Sequence, residues 1–555
     1  MTEGEGTERA RGRTPVYEVL NPRGSKPTMN VSPLCPRVPD LNHKVVYVVD
    51  SGIFGSYLFT EKIAGLLPTY FPQIKVEYRK TDSLFLTSDS EVWSEMKKNA
   101  DAFIFGPAGG TNGFMIGARW SIFLEKMGIP GVYVLSEGYE GAVQATCEKE
   151  GMPLLRRVVT PMPAWGEEAL GQSKKILDEV ITALTRPLKD DEKRAGALVP
   201  EQPPRFAMKG TLEEVQDYFT DHRWTDGLPI LPPTEESVMN MLSGTRHAPE
   251  EVVVEAMPPD NWVVSVEKVA INGVMTGCKP EDMPVLLAVL EAFVKGQYCS
   301  SMMSVNSWSL MAVVNGPIVR EIGMNSGVHA MGPGNRANAT IGRALRLFLT
   351  NLGGLTPGGS IMACQGNPTN YSFAFAENEE GSPWEPLHVT RGFRRDESCV
   401  TLFDGGWTHG GNMTGKSEGP LDLGGILEVI HIFQQPQGAV ILLSPPLAKR
   451  IAHEKKFQKK DLQDYLWRNT LKTAREFRAD PHYENHIEPG LRGKKSRHGA
   501  SHWPSWYLTA DDCERVPVFG KSDFIYPIVV GGDNHAAFQA WNFSLPCTIS
   551  IDHWR

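Results

Sequence analysis

The stretch Phe103 to Pro130, FIFGPAGGTNGFMIGARWSIFLEKMGIP, decides how the first part of this chain folds. A short apolar run, Ala102 to Phe105, ends in a loop of small residues. An amphipathic stretch follows, and Gly128-Ile129-Pro130 leads into a second β-type run, Val132 to Leu135. Strand, tight loop, helix and strand in that order mark a parallel α/β sheet. The loop, Pro107 to Gly113, lies at the carboxyl end of a strand and the amino end of a helix, where backbone N–H groups gather and ligands are usually placed. Gly109, Gly110, Thr111 and Asn112 are therefore candidate substrate-binding positions, although the loop holds no thiol, acid or imidazole.

Working outward, residues 44–186 read βαβαβα. Strands are expected at Lys44–Val49 and Ile74–Arg79, and helices near Tyr57–Leu67, Ser90–Asn99 and Glu167–Thr185. That is the size of one doubly wound, flavodoxin- or Rossmann-like parallel-sheet domain, placed at 41–188. Residues 1–40 are Pro-rich and aperiodic, and read as a disordered or wrapping tail. The charged run Lys189 to Arg194 and the prolines from Pro200 to Pro204 mark a linker over 189–208. A larger C-terminal α/β domain, 209–555, follows. Thr211 caps its first helix, Leu212–Phe219, with Glu214 at the capping-box position. Further helices are expected at Met283–Lys295, Ala337–Thr350 and Lys460–Phe477. Leu310 to Pro317 echoes Ala439 to Pro446: in both, an apolar strand ends in a Pro turn that starts a helix. Two related half-units are one reading; the other is that any α/β protein contains several such junctions.

Leu20-Asn21-Pro22-Arg23-Gly24, Asp101-Ala102-Phe103-Ile104 and Met127-Gly128-Ile129-Pro130 carry a family resemblance. Through them the chain up to about Arg186 resembles the bacterial proteins named for a selenocysteine-Gly-Ser-Cys loop (UGSC-like). More distantly it resembles the selenoprotein B subunits of glycine, sarcosine and betaine reductases. The resemblance implies the α/β fold. It also places Ala108 where those loops hold selenocysteine or cysteine, keeps Gly109, and puts Thr111 at the second cysteine, so the redox pair is missing. With the loop nucleophile lost, the activity is expected in the C-terminal domain, where Trp224 to Pro229, Asn335 to Arg343 and Glu377 to Trp384 resemble, at lower specificity, motifs attached to some members of that family. The ancestry implies lyase-like or reductive cleavage or formation of a carbon–heteroatom bond, and loss of the pair favours the non-redox form.

A net charge of −9 and a pI near 5.9 argue against a nucleic-acid or anionic-membrane partner. No apolar run reaches the ~18–20 residues that span a bilayer, and the amino terminus lacks the apolar core of a signal peptide. The eight cysteines are scattered without a CxxC pair, which fits reduced thiols in a cytoplasmic protein. A homo-oligomer is expected. Of the histidines only His43 precedes residue 222, so acid–base or metal chemistry near neutral pH falls to the C-terminal domain.

The densest constellation runs from Asn325 to His388. Its first half is a Gly-punctuated loop carrying His329, Asn335, Arg336 and Asn338. The loop opens onto a helix with Arg343, a combination that suits a carboxylate or phosphate. The plainer reading is that Asn and Gly shape a long connection while the arginines are paired. No Walker A or GxGxxG pattern implies a nucleotide. The second half is an alternating strand ending in Glu377, Asn378 and Glu379, with Trp384 and His388 just beyond. Clustered carboxylates of this kind share a proton or hold a metal, unless they form only a solvated acidic turn. Asp404 and His409, and Asp533 and His535, sit in Gly-flanked turns able to present an acid or base. Cys278 precedes a helix, where a thiol is activated, though a buried inert cysteine is the commoner case. His482/His486 and His498/His502 have the HxxxH spacing of metal ligands, yet the neighbouring Pro and Gly argue against helices there.

These residues lead to an expected enzyme acting on a small anionic substrate. Its carboxylate would meet Asn335, Arg336 and Arg343; His329 or His388 would move the proton, and Glu377 or Glu379 would orient it. No cofactor is identified by the sequence, and a divalent metal is the open option. The rival readings are a catalytically dead scaffold or ligand-binding subunit of a reductase-type complex, and a metal-dependent oxidoreductase or hydrolase using the C-terminal histidines.

Overall fold

A computed structural model describes residues 15–52, 56–81, 90–107, 110–161, 173–304, 306–413, 420–433, 438–479 and 509–555. Two short strands come first, β1 (Tyr17–Leu20) and β2 (Met29–Val31). Five parallel strands follow: β3 (Val45–Asp50), β4 (Lys75–Lys80), β5 (Ala102–Phe105), β6 (Gly131–Ser136) and β7 (Arg157–Thr160). Their order across the sheet is β4-β3-β5-β6-β7, the doubly wound arrangement whose ligand crevice lies where the order reverses, between β3 and β5. The near-continuous apolar runs of β3, β5 and β6 follow from burial on both faces. Tyr47, Phe103 and Tyr133 pack on one side of the sheet, and Val46, Ile104 and Val132 on the other. Gly106 closes β5 so tightly that a Cβ there would lie 2.0 Å from Thr60 Cγ2.

Two expectations about this region change. The helix after β5 already begins at Gly110 and runs to Lys126, so Thr111 and Asn112 lie in its first turn rather than in a loop. Ala108 and Gly109 lie outside the described residues, as does the start of the helix expected at Glu167, described over Ser173–Thr185. The tail and linker pair with each other. Strand β8 (Gly196–Leu198) pairs with β2, and β9 (Phe206–Gly210) with β1, both antiparallel. The charged run is likewise partly internal: Glu192 turns inward and holds Arg156 through two bonds of 3.0 Å. Burial alone would raise the Glu192 carboxyl. Hydrogen bonds from Arg156 and the Lys189 N–H, with the charges of Arg156 and Arg186, outweigh it and hold the pKa at about 2.

The C-terminal domain begins with the helix Leu212–Asp221, whose capping box of Thr211 and Glu214 is formed as expected. Next come the hairpin β10 (Val252–Met257) and β11 (Trp262–Ser265) and the helices Val266–Thr276 and Met283–Lys295. Six strands then form one mixed sheet: β12 (Ser309–Asn315), β13 (Ala374–Ala376), β14 (Cys399–Met413), β15 (Ala439–Leu443), β18 (Ile525–Val529) and β19 (Ala537–Ser550). A separate small pair comprises β16 (Leu471–Thr473) and β17 (Arg515–Pro517).

The sheet order, β13-β12-β14-β19-β15-β18, is a repeat. In each half a strand (β12 or β15) takes a parallel neighbour on its outer side (β13 or β18). On its inner side it takes a long antiparallel one (β14 or β19), and the two long strands pair at the centre. The echoing segments at Leu310 and Ala439 occupy equivalent places in these half-units. The edge strands then meet: the Asn378 N–H donates to Val529 O at 2.7 Å, and Asn378 Nδ2 to Gly531 O at 2.9 Å. The sheet thereby curls around an inner cluster that includes Val313, Phe375, Phe403, Leu442, Val530 and Phe543. The first half-unit packs its outer face on Met283–Lys295 and Arg336–Asn351, the second on Gly424–His431, Pro445–Glu454 and Lys459–Asn469.

The helix expected over Lys460–Phe477 is interrupted. It stops at Asn469, Thr470 and β16 intervene, and Thr473 with Glu476 caps a new helix, Ala474–Arg478. Among the described residues no helix is long and apolar enough to cross a membrane.

Removing one partner of a buried ion pair leaves the other charge uncompensated. Glu192→Gln should therefore cost about 3 kcal/mol at neutral pH. Because the native carboxyl is held below its ordinary value of 4.5, that contribution is present above 4.5 and is lost as pH falls through about 2. Urea unfolding of both proteins at neutral and acid pH should show the gap narrowing; a constant gap would contradict the account.

Candidate functional site

The carboxyl ends of β12 and β13 bring together the second half of the sequence constellation. Asn315 ends β12 and is fully buried. Its Nδ2 donates to Glu377 Oε2 at 2.7 Å and to Glu379 Oε1 at 2.9 Å, so one amide ties two carboxylates together. Glu377 Oε2 also accepts from the Leu387 N–H at 2.7 Å, and Glu379 Oε1 from the Gly316 N–H at 2.8 Å. These backbone donors stand at the starts of two Pro-initiated helices: Gly316 just before Pro317 and Ile318–Glu321, and Leu387 as the first residue of Leu387–Thr390 after Pro386.

The second helix carries His388, fully buried, with Nδ1 3.9 Å from Glu379 Oε1 and no hydrogen bond to either ring nitrogen. Across the seam, Lys459 opens the helix Lys459–Asn469 of the other half-unit. Its Nζ donates to Glu385 O at 2.6 Å and stands 3.8 Å from Glu377 Oε1, itself without a hydrogen bond. Burial lowers the Lys459 pKa against the opposing charges of Glu377 and Glu385. Lys459, Glu377, Asn315, Glu379 and His388 thus form a chain with gaps of 3.8 and 3.9 Å at its two ends. Glu379, 23% exposed, is its opening to solvent. Such an arrangement can take up, hold and return protons.

The other candidates fall elsewhere. Arg336 is paired with the buried Asp282 and donates to Ile322 O. Arg343 grips Asp226 at 2.8 and 2.9 Å and donates to the carbonyls of Leu228 and Pro229. Both guanidinium groups are committed within the fold, contrary to the substrate-carboxylate role expected of them. Asn335 bonds to Asn325 and to the carbonyls of His329 and Gly332, and Asn338 to Asn325 and Ala330 O. These asparagines shape the loop, and leave His329 exposed on its outside. Asn378 closes the seam, and Trp384 Nε1 donates to Phe457 O at 3.0 Å.

The Cys278 thiol is pushed up to about 12, first by burial and then by the charge of Asp282, the reverse of an activated nucleophile. Asp404 is buried and accepts from Ser301 Oγ at 2.6 Å, while His409 stacks on Trp541 with ring centres 4.2 Å apart. Asp533 is exposed, 3.4 Å from Lys449, and His535 is exposed beside it. His482, His486, His498 and His502 lie outside the described residues. Among the described residues no three His, Cys, Asp or Glu side chains are grouped to hold a metal.

Two members of the cluster, Asn315 and Lys459, are not evident from sequence. Asn315 is marked only as the polar residue that ends an apolar strand before Gly-Pro. Lys459 hides in a basic run that reads as a solvated helix start.

The N-terminal helix Gly110–Lys126 faces the other domain. Met115 packs against the C-terminal core, Met362 against the N-terminal core, and Phe114 stacks on Tyr139 at 4.3 Å. The architecture is thus a doubly wound sheet joined to a larger domain of two related half-units. Residues 18–186 match the model of the UGSC family, so the N-terminal segment is UGSC-like, as its motifs led us to expect. No curated protein matches the chain.

Because neither nitrogen of His388 makes a hydrogen bond, His388→Phe removes a buried polar group without breaking a bond. Its stability should stay within about 1 kcal/mol of the parent or rise. Thermal and urea unfolding check this; a loss above about 2 kcal/mol would mean that His388 serves the fold.

Proposed function

We propose that the C-terminal domain is an acid–base enzyme acting on a small organic substrate with an anionic group, and that it makes or breaks a carbon–heteroatom bond without redox chemistry. In this reading Glu377 Oε1 takes a proton from carbon, and His388 gives one to the departing heteroatom. Glu379 connects the pair to solvent, and Lys459 meets the anionic group, since Arg336 and Arg343 are occupied elsewhere.

The observation that carries the reading is the concentration of unbonded buried atoms at one place: Asn315 Oδ1, Glu377 Oε1 and both nitrogens of His388. Folded proteins leave few buried polar atoms unpaired, because each costs about 1–3 kcal/mol. Two at the ends of adjacent strands and two on the helix that follows are better accounted for by a reaction than by stability.

The test is a panel of small carboxylates bearing hydroxyl, amino or thiol groups on the neighbouring carbon, with product release followed by NMR. Glu377→Gln and His388→Gln should each lower kcat/KM by about 10²-fold or more. Turnover within about twofold of the parent in both variants would overturn the assignment.

A further inference from the structure

We propose that Lys459 is an amine nucleophile that forms an imine with a carbonyl group of the substrate, which narrows the substrate class to aldehydes and ketones. The proposal rests on the acid–base site described above and replaces the anion contact given there to Lys459 with a covalent bond.

Lys459 and Lys460 are adjacent in one helix but differ in setting. Lys460 is 55% exposed and ion-paired with Asp464 and Asp523; burial works against its charge, but these carboxylates prevail and raise its pKa. The Lys459 side chain is 11% exposed, donates to Glu385 O and stands at 3.8 Å from Glu377 Oε1. Burial lowers its pKa, so the charged amine that opposes Glu377 is more easily converted to the neutral form that attacks carbonyl carbon. At 3.8 Å the Glu377 carboxylate is near enough to take a proton from the amine.

The exchange uses Lys459 as nucleophile, with Glu377 and His388 moving the protons. The Lys459 nitrogen adds to the carbonyl carbon while the carbonyl oxygen takes a proton from His388, giving a carbinolamine. The nitrogen passes one hydrogen to Glu377 and thence to the oxygen, which leaves as water as the C=N bond forms, and its second hydrogen restores the proton that His388 gave. Two hydrogens leave the amine and two enter that water, hydrolysis reverses the sequence, and no oxidant or reductant is consumed. The imine draws electrons from the adjacent carbon, which eases the proton abstraction assigned to Glu377.

The full chain is incubated with pyruvate or with acetaldehyde, treated with sodium borohydride to fix any imine as a secondary amine, and mapped by peptide mass spectrometry. Lys459 should be modified at least about tenfold more than Lys460, because the buried amine reaches its neutral form more readily than the exposed, ion-paired one. Lys459→Arg, which keeps the charge beside Glu377, should lose both label and turnover. Labelling of Lys459 no greater than that of Lys460 would overturn the proposal, and the parent protein alone decides this if the variant does not fold. If His388→Gln abolishes turnover while Lys459 is not preferentially labelled, the imine falls and the acid–base site stands. If Lys459 is labelled but His388→Gln turns over normally, the imine stands and the acid–base assignment falls.

Discussion

A carboxylate with no access to water must be compensated where it stands, and Glu377 is such a group. Burying an unpaired charge costs several kcal/mol. Asn315 and the Leu387 N–H supply two bonds to one of its oxygens, and Lys459 supplies the opposite charge facing the other. Asn315 belongs to the first half-unit and Lys459 to the second, so the site exists only if the curled sheet is closed. Asn378, one residue beyond Glu377, makes that closure by bonding to Val529 and Gly531. Seam and site are therefore one structural problem, met by neighbouring residues.

The half-units have diverged at the corresponding positions. The registers of β12 with β13 and of β15 with β18 make Asn315 equivalent to Ser444, and Glu377 to Val530. The second half-unit thus has no carboxylate where the first has its buried one. Its strand end instead receives the loop of the first half: the Gly531 N–H donates to Ser326 O, and Val328 lies against Gly532. Each half reaches into the other, one with a lysine and one with a loop. The UGSC-like segment is bound into the same domain through its Leu-Asn-Pro-Arg-Gly motif. Arg23 lies over the Trp262 ring at 4.0 Å, Asn272 donates to Pro22 O, and the Gly24 N–H donates to Asn351 O.

What was legible in the sequence was local. The apolar runs of β3, β5 and β6, the Gly-Ile-Pro entry to β6, the Thr211 capping box and the paired strand–Pro–helix segments all depend on neighbours within a few positions. The carboxylates and His388 stood out because they fall within a dozen residues of one another. Lys459 and Asn315 did not, since each acquires its meaning from a partner more than 60 residues away. The same limit applied to Arg343: its partner Asp226 lies 117 residues earlier, and a paired arginine looks like a free one until the pair is seen. The break at Thr470 arose where a buried threonine and a fresh capping box outweighed a helical pattern that continued on either side.

The dependence of the site on the seam can be measured without knowing the substrate, by a double-mutant cycle in urea unfolding on Glu377→Gln, Lys459→Met and the pair. Lys459→Met alone should cost about 3 kcal/mol, because it leaves a buried carboxylate unopposed. Adding Glu377→Gln should recover most of that, a coupling above about 1 kcal/mol. Additive losses, with no recovery in the double variant, would mean that the two half-units do not share this site.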